Sequence, residues 1–191
     1  GYVSSASNII DYVEINTLGN DLDFGDLRIS KYYPAGIPSP IRAVFAGGTT
    51  PGNTETMSFV KFASKGNAVN FGELSSGGGT FQSGGASDGV RGVLAGTYNP
   101  TATYINNIEY LTIASEGNTT HFGNLTVGRS ASGASGGTRG IFAAGSTGSN
   151  TNIIDFINIA SAGNASDFGD MNDTMSGMSG VSDAHGGLGG F

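Results

Sequence analysis

Residues 154–170 read IDFINIASAGNASDFGD, and the second half of that stretch carries the pattern that decides the fold. Gly163-Asn164 is followed after three residues by Phe168-Gly169 and, one residue further, by Met171. The same spacing gives Gly19-Asn20, Phe24-Gly25 and Leu27, then Gly66-Asn67, Phe71-Gly72 and Leu74. It returns as Gly117-Asn118, Phe122-Gly123 and Leu125. Successive copies stand 47, 51 and 46 residues apart, so the chain is four copies of one unit of about 48 residues.

Other markers keep this register. An apolar run precedes each Gly-Asn: Ile9–Ile15, Met57–Phe62, Ile108–Ile113 and Ile153–Ile159. Earlier in each unit a strand opens on a basic residue, at Arg42, Arg91, Arg139 and, in degenerate form, His185. It closes on small residues, Gly47-Gly48, Ala95-Gly96, Ala144-Gly145 and Gly189-Gly190. Each unit reads as four short strands. They are A (Gly, Ala and Ser, as in Ala131–Ser135), B (Arg139–Ala144), C (Ile153–Ile159) and D (about Ala165–Met171). Gly-Asn is expected to supply the positive φ of a tight turn between C and D. Strands B and C are apolar on both pleat faces, as strands are when sheets cover them on each side. Strand A carries the side chains that let strands converge closely.

No segment has helical spacing. Four strands in a unit of this length predict an all-β, four-bladed β-propeller in a single domain over 1–191, with units near 1–47, 48–95, 96–144 and 145–191. The order C-D, then A-B-C-D, then A-B predicts one blade built from both termini, with 174–191 supplying its inner strands. A solenoid is the structural competitor, but it calls for capping repeats and none of the four units is composed like one.

Composition narrows the function. Only 12% of residues are charged and the net charge is −7, so eight basic residues cannot line a phosphate backbone and nucleic acid is not an expected partner. No apolar run reaches the 18 or more residues that a membrane helix needs, and membrane insertion is not expected. With no cysteine, disulfides and thiolate metal sites are excluded.

The repeats resemble those of kelch-type propellers over nearly the whole chain. Kelch units carry a di-glycine after strand B, matched by Gly47-Gly48 and Gly189-Gly190. Their strand C aromatic is matched by Tyr12, Phe59, Tyr110 and Phe156, and their strand D aromatic by Phe24, Phe71, Phe122 and Phe168. Arg129 and Arg28 sit where the family arginine falls, whereas the usual tryptophan is absent. The wording of 154–170 is also similar to repeats in large structural proteins of marine bacteriophages, cyanophages above all. That likeness implies an extracellular, virion-associated tail or fibre component whose partners are host surface glycans or proteins, or other virion proteins.

Several motifs that spell chemistry reduce to the repeat. Asp-Phe-Gly at Asp23–Gly25 and Asp167–Gly169 varies to Asn70 and His121 in the other units, and no kinase motif accompanies it. Gly-x-Ser-x-Gly at Gly85–Gly89 and Gly133–Gly137 lies in a chain without helices, whereas a nucleophile elbow needs a strand-turn-helix and a histidine base. Asp21, Asp23 and Asp26 are weak calcium candidates, since acids here also close turns on their own backbone. Arg42, Arg91 and Arg139 suit a structural ring pairing with Asp11, Glu109 or Asp155. No catalytic residue and no cofactor is expected.

Loops vary while strands are fixed, so recognition is expected on loops. The most divergent are Tyr32–Pro40, Gly77–Gly85 and Tyr98–Tyr104, and Tyr32, Tyr33, Tyr98 and Tyr104 are the candidate binding residues. The expectation is a non-enzymatic structural or receptor-binding module. The alternatives are a cellular kelch-like lectin or peptide-binding module and, further off, a small glycan hydrolase.

Overall fold

The structure, a computed structural model, describes residues 5–50, 52, 54–75, 83–98 and 103–182. Strands β1 (Ser7–Tyr12) and β2 (Leu22–Lys31) form a two-stranded antiparallel sheet. Three four-stranded antiparallel sheets follow, each paired in chain order. The first holds β3 (Ala35–Pro38), β4 (Arg42–Ala46), β5 (Thr56–Lys61) and β6 (Ser64–Glu73). The second holds β7 (Gly84–Ser87), β8 (Arg91–Tyr98), β9 (Tyr104–Thr112) and β10 (Thr120–Asn124). The third holds β11 (Ser130–Ser135), β12 (Arg139–Ser146), β13 (Thr151–Asn158) and β14 (Ser166–Met175). No helix occurs among the described residues. The all-β, multi-blade architecture expected from the repeat is therefore present, with strands A to D of each full unit forming one sheet.

Local chemistry sets the strand ends. Between β3 and β4, Ser39 Oγ accepts from the backbone N–H of Ile41 and Arg42. Between β7 and β8, Asp88 Oδ1 accepts from those of Val90 and Arg91. The small pairs that end strand B stand where the backbone turns left-handed, with φ of 62° at Gly47, 64° at Gly96 and 52° at Ala144.

The core lies between sheets. Ile37, Val44, Met57, Phe59 and Phe71 of one sheet pack with Leu94 and Leu111 of the next. Val93, Ile108 and Phe122 pack in turn with Phe142 and Ile157. Phe24 and Leu27 of β2 pack with Val60 and Ala68. First strands meet through glycine: a Cβ on Gly85 would lie 2.3 Å from Gly36 O, and one on Gly133 would lie 2.4 Å from Gly85 O. A Cβ on Gly180 would likewise lie 2.4 Å from Gly133 O, so segment 177–182 continues the series although it forms no strand.

The repeated Gly-Asn does not turn the chain, contrary to the sequence reading. The turns come earlier, closed by Ser115 N–H to Thr112 O at 3.2 Å and Ser161 N–H to Asn158 O at 3.2 Å. Gly-Asn instead docks on the Phe-Gly of the preceding unit. Asp26 N donates to Asn67 Oδ1 at 3.0 Å, Glu73 N to Asn118 Oδ1 at 3.0 Å and Asn124 N to Asn164 Oδ1 at 3.1 Å. The glycine of Phe-Gly is required because the backbones touch. A Cβ on Gly25, Gly72 or Gly123 would fall 2.5, 2.2 or 2.1 Å from Gly66, Gly117 or Gly163. This latch also covers the outer strands β2, β6 and β10 with the next unit's backbone. Asn118→Ala is expected to cost about 0.5–1.5 kcal/mol, the usual worth of one hydrogen bond, measurable by chemical denaturation.

The four strand D phenylalanines hold one place in the repeat but differ in burial. Phe24, Phe71 and Phe122 are buried, but Phe168 is 53% exposed. The reason is positional: no further Gly-Asn segment docks on β14, and Gly169 has open space around it. The strands expected at 185–191 lie outside the described residues.

Candidate functional site

Antiparallel strands reverse direction, so the A–B and C–D connections share one end of the sheets and the D–A and B–C connections share the other. All four candidate tyrosines stand at that second end. Tyr32 and Tyr33 occupy the β2–β3 link, with ring centroids 6.2 Å apart. Tyr98 ends β8 and Tyr104 opens β9 directly opposite, with centroids 5.0 Å apart. The structure thus brings them together as two pairs.

Each pair is fixed by its neighbours. Tyr32 exchanges backbone hydrogen bonds with Thr49 of the β4–β5 link at 2.8 and 2.9 Å. Tyr104 Oη lies 3.1 Å from Ser146 Oγ of β12, which ties the second sheet to the third. Tyr33 is 40% exposed and has φ of 51°, a left-handed backbone that costs a non-glycine residue on the order of 1 kcal/mol. Of the third candidate loop, residues 77–82 lie outside the described residues.

A cavity of about 1060 Å³ adjoins this end, bordered by Tyr32 and Tyr33, by Ile9 and Ile10 of β1, and by Met178 and Val181. Residues 185–191, which the repeat register aligns with β4, β8 and β12, lie outside the described residues.

The reactive side chains serve the scaffold. Ser87 is fully buried and its Oγ accepts from Gly89 N–H, while Ser135 Oγ accepts from Ser87 N–H. Ser87 therefore closes a turn, and Ser135 joins β11 to β7 of the preceding sheet. His121 Nδ1 lies 2.6 Å from Asn107 Oδ1, and His185 lies outside the described residues. Among the described residues, no three acidic or histidine side chains stand close enough to hold a metal ion, Asp21, Asp23 and Asp26 included.

The ring of arginine–acid pairs is corrected. The Arg42, Arg91 and Arg139 guanidinium groups lie over the strand C rings of Phe59, Tyr110 and Phe156 at 4.6, 4.7 and 5.0 Å. Those rings meet Phe71, Phe122 and Phe168 edge-on at 5.8, 6.0 and 6.0 Å. Arg42 and Arg91 also donate to Ile113 O and Ile159 O of the following sheet, at 3.2 and 2.9 Å. The acids find other partners. Glu109 accepts from Ser75, Asn107 and Thr119, and Asp155 pairs with Arg129 at 2.8 Å with both side chains fully buried.

In the first full sheet Lys31 does what Arg129 does in the third. Its Nζ donates to Gly47 O at 2.9 Å, to Thr56 O at 3.1 Å and to Thr56 Oγ1 at 3.3 Å. Arg28, which the family resemblance placed in that role, is exposed and bonded to Asn70. The sequence signal was present, since Lys31 and Arg129 stand four residues after Leu27 and Leu125. Burial, with repulsion from Arg28 second, pushes the Lys31 ammonium down to about 8. The unfolded chain then binds more protons than the folded one between pH 8 and the ordinary 10.5. The lysine's contribution to stability is therefore expected to rise as pH climbs through that window and to be lowest below it. Denaturation of the protein and of Lys31→Met at pH 7.5 and 9.5 checks this, with the rise absent from the variant.

A scan against protein-family models finds no match for this sequence, and a search of curated proteins finds no similar chain.

Proposed function

We propose that this chain is a non-enzymatic β-propeller module of a phage virion, part of a tail or fibre, that binds glycan or protein on a host surface. Its sheets are four blades about one axis. The fourth blade takes its outer half from β1 and β2 and its inner half from the segment that begins at 177. The virion setting rests on the sequence resemblance to phage structural repeats.

The observation that carries the binding role is the gathering of Tyr32, Tyr33, Tyr98 and Tyr104 at the loop end of the sheets. Paired rings on a rigid scaffold offer flat faces on which sugar rings or peptide side chains stack at low entropic cost. The strained backbone at Tyr33 supports the same role, because such strain gathers at binding sites. The catalytic alternative lacks support, since the nucleophiles, bases and acids described above are committed to turns, ring contacts and latches.

A glycan array probed with the intact protein, alongside a hydrolysis screen of the same glycans, tests this reading. Binding without turnover is expected, with a loss of roughly tenfold or more in Tyr33→Ala or Tyr104→Ala. Hydrolysis, or binding indifferent to all four tyrosines, would contradict it.

A further inference from the structure

We propose that the tyrosine end of the sheets takes an uncharged saccharide and discriminates against acidic glycans. This rests on the tyrosine site proposed above and names its ligand class.

Charge divides unevenly between the two ends of the sheets. The connections at the tyrosine end are 32–34, 47–55, 74–83, 99–103, 125–129, 147–150 and, after β14, 176–182. Their sequences hold two acidic or basic side chains, Glu55 and Arg129. The strand residues that abut them add Lys31 and Glu73. Both cations are buried, Lys31 against the carbonyls of Gly47 and Thr56 and Arg129 against Asp155. These segments therefore offer a ligand no exposed cation, and the charges that remain, Glu55 and Glu73, repel anions. The opposite end is composed differently. Glu14, Asp21, Asp88 and Glu116 lie in its connections, and Arg42, Lys61, Arg91 and Arg139 stand where its strands begin or end. Low charge thus belongs to one end and is not a property of every loop.

The tyrosine end presents aromatic faces beside hydroxyls and an amide. Thr49 exchanges backbone hydrogen bonds with Tyr32 and is followed by Thr50. Ser146, in contact with Tyr104, leads into Thr147, Ser149 and Asn150, all exposed. Hydroxyls and side-chain amides both donate and accept, which suits the hydroxyls of a sugar. The apolar face of a sugar ring lies on an aromatic ring without help from a charge. A carboxylate, sulfate or phosphate brought to the same place gives up hydration with no cation to replace it.

The test is an array of neutral oligosaccharides, each paired with the sialylated or sulfated form of the same chain, probed with the intact protein at low and high salt. Neutral members should bind roughly tenfold or more above their acidic partners, with less than about a twofold change between the two salt conditions. Equal or stronger binding of the acidic members, lost in Tyr33→Ala or Tyr104→Ala, overturns this inference and leaves the tyrosine site standing. Binding that both variants retain overturns the site and the inference with it. Silence across the whole array overturns the saccharide assignment and leaves the tyrosine site to a protein partner.

Discussion

Replacing Arg129 with methionine is expected to destabilise the protein by about 3–5 kcal/mol, the cost of leaving a buried charge without its partner. The guanidinium is wholly enclosed, and each of its three nitrogens donates a hydrogen bond. Nε bonds Ala144 O at 3.0 Å, Nη2 bonds Phe142 O at 2.9 Å and Nη1 bonds Asp155 at 2.8 Å. Asp155 accepts in addition from Thr126 N–H at 3.1 Å and from Thr126 Oγ1 at 2.6 Å. Methionine fills much of the volume but leaves a carboxylate in a dry interior and two carbonyls without donors. Urea denaturation measures the loss. The double variant Arg129→Met, Asp155→Val should recover part of it, because an apolar pair of similar volume avoids the desolvation of both ions. A single-variant loss below about 1 kcal/mol would mean that water reaches the pair.

Phe122→Ala and Phe168→Ala should differ sharply although both residues hold the same place in the repeat. Phe122 is 3% exposed, within the core shared by the second and third sheets. Truncating it should cost about 3–5 kcal/mol through lost burial and the cavity left behind. Phe168 is half exposed and meets Phe156 edge-on. Its truncation should cost under about 1 kcal/mol in the isolated chain. The comparison is made by denaturation in dilute solution. Equal large losses would show that β14 is covered in the single chain.

Strand order was legible because the repeat supplies four readings of one unit, and the periods of apolar and small residues agree among them. The glycine-rich strand A was legible for a physical reason: only small residues permit the approach seen between Gly36, Gly85 and Gly133. Less could be read where one residue type answers two demands. Gly-Asn is a strong turn signal locally, yet it serves here as a docking segment, and that use depends on a glycine in a different unit. The arginines of strand B had acids at matching positions in the sequence, but the nearest acceptors in space were aromatic faces and backbone carbonyls. Of the two buried cations, Arg129 stood at the family position, whereas Lys31 differs from it in type and was masked by the nearby Arg28. Phe168 could not be told from Phe122 by sequence, because exposure depends on the neighbour that follows. The tyrosines were found as loop residues, while their placement at one end follows from strand parity.

Radial arrangement of the units is tested most directly by distances between equivalent turns. Ile41, Val90 and Thr138 each precede the strand B arginine and are exposed. Spin labels on cysteines placed there in pairs give three distances by pulsed electron resonance. Blades at right angles about a common axis predict a 41–138 distance about 1.4 times the 41–90 and 90–138 distances. A ratio near 2, as units stacked along a line would give, would contradict the propeller.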